Sequence, residues 1–276
     1  MRVMFGAALL AMVVACSPAT KAADTVTPEV IAQTSADLVA YLDAEYEEEI
    51  QMSPEELTAQ GRKEQYDKLD DRSEAVAEKE LAWRRTSVAD MKAKFDPAKL
   101  DDAARTSFDI WALELDRAEK LKPYRRHRYI FARGGAHTGL PNFLINFHKV
   151  SEKSDMDAYI ARVALVDDTL DQLIERAKLA AADGIRPPQF TYTQALDEIK
   201  RVTTGAPFGP GKDSALFADA KGKIKALQDG GKITADEART KAKDILAKAH
   251  LGEDEAEKRD EVRGSQTVSQ LIDAWS

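Results

Sequence analysis

The chain has 276 residues, of which 43% are hydrophobic and 32% charged, and its formal net charge at pH 7 is −8. That length buries a proper core in one large or two small domains, and the hydrophobic share excludes a disordered chain. The acidic balance disperses lysine and arginine among carboxylates, which excludes nucleic acid as an expected partner, because phosphate contacts need clustered cations.

The first segment reads as a targeting signal. Met1-Arg2 supplies positive charge, Phe5 to Val14 is an apolar run too short to span a membrane, and Val13-Val14-Ala15-Cys16 ends in the only cysteine. This pattern resembles a bacterial lipoprotein signal, in which residues 1–15 are removed and Cys16 is lipidated; an ordinary secretory signal is the alternative. Ser17 beside the cysteine points to the periplasmic face of the outer membrane, with a secreted or free periplasmic protein as the other possibility. Residues 16–26 then form a flexible tether, and the mature chain has no thiol for disulfide or redox work.

Beyond the tether the periodicity is helical. Leu38, Leu42, Tyr46 and Ile50 share one face of a helix entered at Thr27-Pro28. Ser53-Pro54-Glu55-Glu56 predicts a capping box for a short helix that Gly61 ends. Ser73 to Phe95 is a third helix, with Leu81, Val88, Met91 and Phe95 inward. A fourth carries Ala104, Phe108, Trp111, Leu115 and Ala118 on one face, is capped by Asp101 or Asp102 and stops at Pro123; its aromatics read as core. The longest helix spans about Asp155 to Asp183, capped by Ser154 with Asp157 and closed by Gly184. Ile185 to Phe190 is extended, since each proline pushes its predecessor out of helical geometry. Leu196, Ile199 and Val202 mark a shorter helix, Gly205 to Gly211 a loop, and Ser214 to Leu227 and Thr234 to Ala249 two last helices. The fold expected is all-α, with long antiparallel helices in a bundle-like array and a Gly/His/Pro-rich loop in the middle.

That central stretch, Arg133 to His148, gathers three glycines, a proline, two asparagines and two of the four histidines into sixteen residues. Glycine permits close backbone approach, while His and Asn carry hydrogen-bonding chemistry, so this is where a helical scaffold would hold a site. On a single helix His137 and His148 would lie about 16 Å apart. Histidines bonded within a packed loop are therefore expected in preference to a zinc site completed by a borrowed carboxylate. No Gly-x-Ser-x-Gly turn exists, and Gly205 to Gly211 lacks the Lys-Ser/Thr pair of a phosphate loop.

Several segments, in order, carry a family resemblance: Ser53 to Gly61, Gly135-x-His137 with Leu140 to His148, Ala158 to Arg162 leading to Leu170 to Ile174, and above all Ala181 to Phe190 with its Gly184-Ile185-Arg186-Pro187-Pro188 core. Over about Thr27 to Leu227 the chain resembles the amino-terminal half of the DUF885 proteins, which are bacterial, largely helical, often lipid-anchored and similar to deep-channel zinc metallopeptidases. The resemblance implies a helical domain over 27–250, a charged, divergent tail over 251–276, and a substrate channel whose candidate wall residues are Gly135, His137, Asn142, His148 and Arg186. It also implies that zinc belongs to a carboxy-terminal half bearing His-Glu-x-x-His, a motif absent from this sequence, whose histidines are His127, His137, His148 and His250.

The expectation is thus a lipid-anchored, non-catalytic amino-terminal half, truncated or frame-shifted, without a cofactor of its own and inactive alone. Its partners are the membrane through Cys16 and either a peptide substrate or the missing half. The alternatives are a free-standing periplasmic lipoprotein that binds a peptide or partner, and one chain of a two-chain metallopeptidase.

Overall fold

The computed structural model describes residues 26–249; the signal segment with Cys16, nearly all of the tether, His250 and the 251–276 tail lie outside it. The described residues are helical, with no β-strand: α1 (Pro28–Gln51), α2 (Pro54–Ala59), α3 (Glu74–Lys94), α4 (Asp102–Leu121), α5 (Ala136–Asn146), α6 (Lys153–Ala182), α7 (Gln189–Val202), α8 (Ala215–Asp229) and α9 (Ala235–Ala249). A 3-10 turn, Lys122–His127, extends α4.

Most helix starts follow from local chemistry. Thr27, Ser73 and Asp101 each accept a first-turn backbone N–H through a side-chain oxygen, Asp101 at 2.8 Å from the Ala104 nitrogen. Thr234 and Glu237 form a reciprocal capping box at the start of α9. Two starts differ from the sequence reading. At α2, Ser53 Oγ does accept from Glu56 N (3.2 Å), but no bond returns from Glu56, since Ser53 N donates to Ile50 O (3.0 Å); Asp70 braces the turn instead, accepting from Ser53 Oγ (3.0 Å) and Glu55 N (3.0 Å). At α6 the cap is Glu152 rather than Ser154, because the Asp155 carboxylate reaches back to the N–H groups of Ser151 and Glu152. Gly184 ends α6 as predicted: at φ 78° its left-handed backbone lets Ile185 N bond to Ala180 O at 2.9 Å.

The central stretch is only partly a loop. Backbone up to Gly135 is irregular, whereas Ala136–Asn146 is helical with Pro141 inside it. Leu140, Phe143 and Leu144 bury one face, and that burial overrides the breakers that suggested a loop. Phe190, expected in the extended segment, already belongs to α7, which starts directly after Pro188.

Two cores result. Leu38 of α1, Val88 and Met91 of α3, and Ala104 and Phe108 of α4 form the first, and the hairpin of α3 and α4 packs across α1. The second joins α5, α6, α8 and α9 through Leu144, Met156, Tyr159, Ile224 and Ile245, with Leu69 inserted from the α2–α3 connection. Arg72 in the connection after α2 and Arg128 to Gly135 in the segment between α4 and α5 line a cleft whose walls also come from α1, α3, α4, α5 and α6.

Candidate functional site

Two cavities share a border in that cleft. One, of about 500 Å³, is walled by Glu55, Arg72, Arg128, Arg133 and Arg176, with backbone from Gly134, Gly135 and Gly139. The other, of about 600 Å³, is a groove whose wall mixes apolar Leu81, Trp83 and Leu121 with Glu49, Glu80 and Arg84. Arg128 and Arg176 line both, so the two form one continuous surface. In the groove, burial raises the Glu80 carboxyl above its ordinary value, and the negative charges of Asp70 and Glu49 add to the shift.

The walls are held by networks set behind them. Arg162 is wholly buried on α6. It donates to Lys68 O (2.7 Å), Pro54 O (3.1 Å), Thr58 Oγ1 (2.7 Å) and His148 Nδ1 (3.0 Å). Because a guanidinium only donates, His148 Nδ1 carries no proton, so Nε2 carries it and donates to Asp155 O at 3.0 Å. Burial, then repulsion from Arg162 and Lys223, lowers the imidazole to about 4. Tyr66 stacks on this ring with centroids 4.1 Å apart. Burial alone would raise the Asp155 carboxyl, but bonds from Lys63, Ser151 and Glu152 bring it down to about 2. This network fixes α2 and the connection after it against α6, which places Glu55 and Arg72 in the wall. Glu55 Oε2 pairs with Arg72 at 2.7 Å, while burial and the neighbouring Asp70 raise its carboxyl.

A second clamp holds the glycine turn. Glu198 Oε2 on α7 accepts from His137 Nε2 (2.9 Å) and from Gly134 N (3.2 Å), and the His137 bond is the main cause of its lowered pKa. His137 is 7% exposed, and among the described residues nothing bonds to its Nδ1. Gly135 is needed for space: a Cβ there would stand 2.5 Å from Ile130 O and 2.9 Å from Ala132 O. Gly135→Ala is therefore expected to cost about 2 kcal/mol in urea denaturation. Gly139→Ala, inside α5 with nothing within 4 Å of its Cβ position, should be neutral or stabilising by about 0.5 kcal/mol. Equal effects of the two would sink the steric account.

The sequence candidates do not converge. Gly135 lines the 500 Å³ cavity. His137 and His148 are buried in the two clamps. Asn142 is exposed on α5 and bonds Asn146 through its side-chain oxygen at 2.7 Å, and Arg186 is exposed in the α6–α7 connection. No group of three or more His, Cys, Asp or Glu that could hold a metal occurs among the described residues. The four arginines were missed, although a signal existed for Arg128 and Arg133: from Lys120 to Arg133 six cations follow without one carboxylate, in a chain of net charge −8.

A family model described as "Bacterial protein of unknown function (DUF885)" matches residues 54–266. Neither the curated proteins nor the solved structures contain a match.

Proposed function

The chain belongs to the DUF885 family, and on that premise we propose that it is a lipid-anchored, non-catalytic helical unit of a zinc-peptidase-like protein, binding peptide in the cleft between its two cores. The observation that carries this reading is the continuous surface of the two cavities, about 500 and 600 Å³, within the usual size range of ligand sites and joined through Arg128 and Arg176. A groove with apolar walls and a polar end suits an extended chain with one charged terminus. Metal chemistry would be supplied by a half bearing His-Glu-x-x-His. Exposed Ile110, Leu113 and Leu121 on α4 and its end, with Ile174 and Leu179 on α6, give such a half apolar surface to cover.

Titration of the purified protein with short unstructured peptides, followed by Trp83 fluorescence, should show saturable binding, and peptide hydrolysis with added zinc should stay at background. Zinc-dependent turnover by this chain alone overturns the non-catalytic reading. The anchor has its own test. Cys16→Ala should move the protein from the membrane to the soluble periplasmic fraction and abolish incorporation of labelled fatty acid. Unchanged membrane association and labelling would remove the lipoprotein reading.

A further inference from the structure

The basic run before α5 is not uniformly paired. Lys122 and Arg125 hold Glu78 at 2.9 and 2.5 Å, and Arg126 holds Asp183 at 2.6 Å. Arg128 and Arg133 follow in the same run. No carboxylate, and no other acceptor, lies within bonding distance of either among the described residues. Both line the 500 Å³ cavity. Arg72 and Arg176 complete its basic wall, against the single carboxylate of Glu55, which Arg72 already engages. Arg176 turns outward to Glu74 (3.3 Å), a carboxylate shared with Arg125 and Arg126. Arg72 Nε is buried and has no bonding partner. Of the four guanidinium groups around the cavity, Arg72 and Arg176 are thus paired, whereas Arg128 and Arg133 are left without a carboxylate, and the one carboxylate there is already engaged.

Unpaired guanidinium groups round a concavity attract oxyanions, because their planar forks match carboxylate and phosphate oxygens two at a time. Backbone donors add to this. The N–H of Gly134 is spent on Glu198 and that of Gly135 on Ala132 O, but α5 has no side-chain cap, and Ala136 at its first turn lines the cavity. We infer that the 500 Å³ cavity is an oxyanion site, in which Arg128 and Arg133 grip the carboxylate or phosphate end of a small ligand whose apolar body lies in the adjoining groove. This rests on the cleft being a ligand site and adds which end of the ligand enters which cavity.

Three probes test it on the full-length protein: a hydrophobic tripeptide with a free carboxyl terminus, the same tripeptide amidated, and inorganic phosphate. The acid peptide is expected to bind roughly tenfold tighter than the amide, and phosphate to compete with it. The double variant Arg128→Gln/Arg133→Gln should erase that difference. Both side chains are exposed and unpaired, so its melting temperature should match the parent, and Arg117→Gln, on α4 away from the cavity, should leave the difference intact. Equal binding of acid and amide, without phosphate competition, overturns the oxyanion site while leaving peptide binding in place. Phosphate binding lost in the double variant, with neither peptide binding, supports the oxyanion site and overturns the peptide reading instead.

Discussion

Arg162→Ala is expected to cost about 4 kcal/mol of folding stability, the largest single effect in the protein. The guanidinium is fully buried and no carboxylate lies within ion-pair distance of it among the described residues. Its charge is carried by neutral acceptors: four main-chain or hydroxyl oxygens of 54–68 and the imidazole of His148. Tyr66 and Phe143 each lie 5.1 Å from it by ring centroid. Removing the side chain leaves those acceptors dry and unpaired and opens a hole where α2 meets α6, against a typical total stability of about 5–15 kcal/mol. Arg162→Lys should also be costly, at about 2 kcal/mol or more, because an ammonium cannot spread its donors over a planar fork. Urea denaturation at pH 7 measures both. A loss below about 1 kcal/mol for the alanine variant would mean that the network is incidental to the fold. Since the same bonds place Glu55 and Arg72, ligand binding should weaken even in the surviving folded fraction.

Acid is expected to act on the same network through His148. In the unfolded chain the imidazole titrates near 6.5, and in the folded protein near 4. Above pH 6.5 it is neutral in both states and adds no pH dependence. Between 6.5 and 4 the unfolded chain binds a proton that the folded protein refuses, so stability falls as pH drops, by about 3 kcal/mol in all. Burial is the main reason the fold excludes the charged ring, and a proton on Nδ1 would in addition face the N–H of Arg162. Glu55 works in the opposite sense: its raised carboxyl binds a proton more readily when folded, offsetting part of the loss as pH approaches its titration. Asp155, held to about 2, loses its contribution only at lower pH. His148→Gln keeps an acceptor for Arg162 and a donor for Asp155 O but cannot titrate. It should be less stable than the parent at pH 7.5 yet show a flatter stability profile between pH 6.5 and 4. Parallel profiles for the two proteins would exclude His148 as the source.

Legibility in the sequence tracked the range of the interactions. The caps at Thr27, Ser73, Asp101 and Thr234 and the stop at Gly184 involve partners within five residues, so residue type and spacing suffice to find them. The start of α2 was read only in part, because its second partner, Asp70, lies 17 residues on. Pro141 and the glycines suggested a loop at α5, and only packing against α6, α7 and α8 makes a helix there. Arg162 offered a hint that went unread: it shares the apolar face of α6 with Tyr159 and Val163, where an arginine needs an internal set of acceptors.

By itself the sequence determined an all-helical chain of the DUF885 family, with its helix caps and stops, because periodicity and short-range hydrogen bonding are written in neighbouring residues. It also singled out the 133–148 stretch as chemically unusual. Only the tertiary structure decided what that stretch does. Its histidines are clamps rather than wall, one to Glu198 and one to Arg162, while the cavity before α5 belongs to arginines on three separate segments, with Arg72 and Arg176 104 residues apart. Which cations find a carboxylate and which are left facing a cavity depends on distances between elements, and no local pattern encodes those.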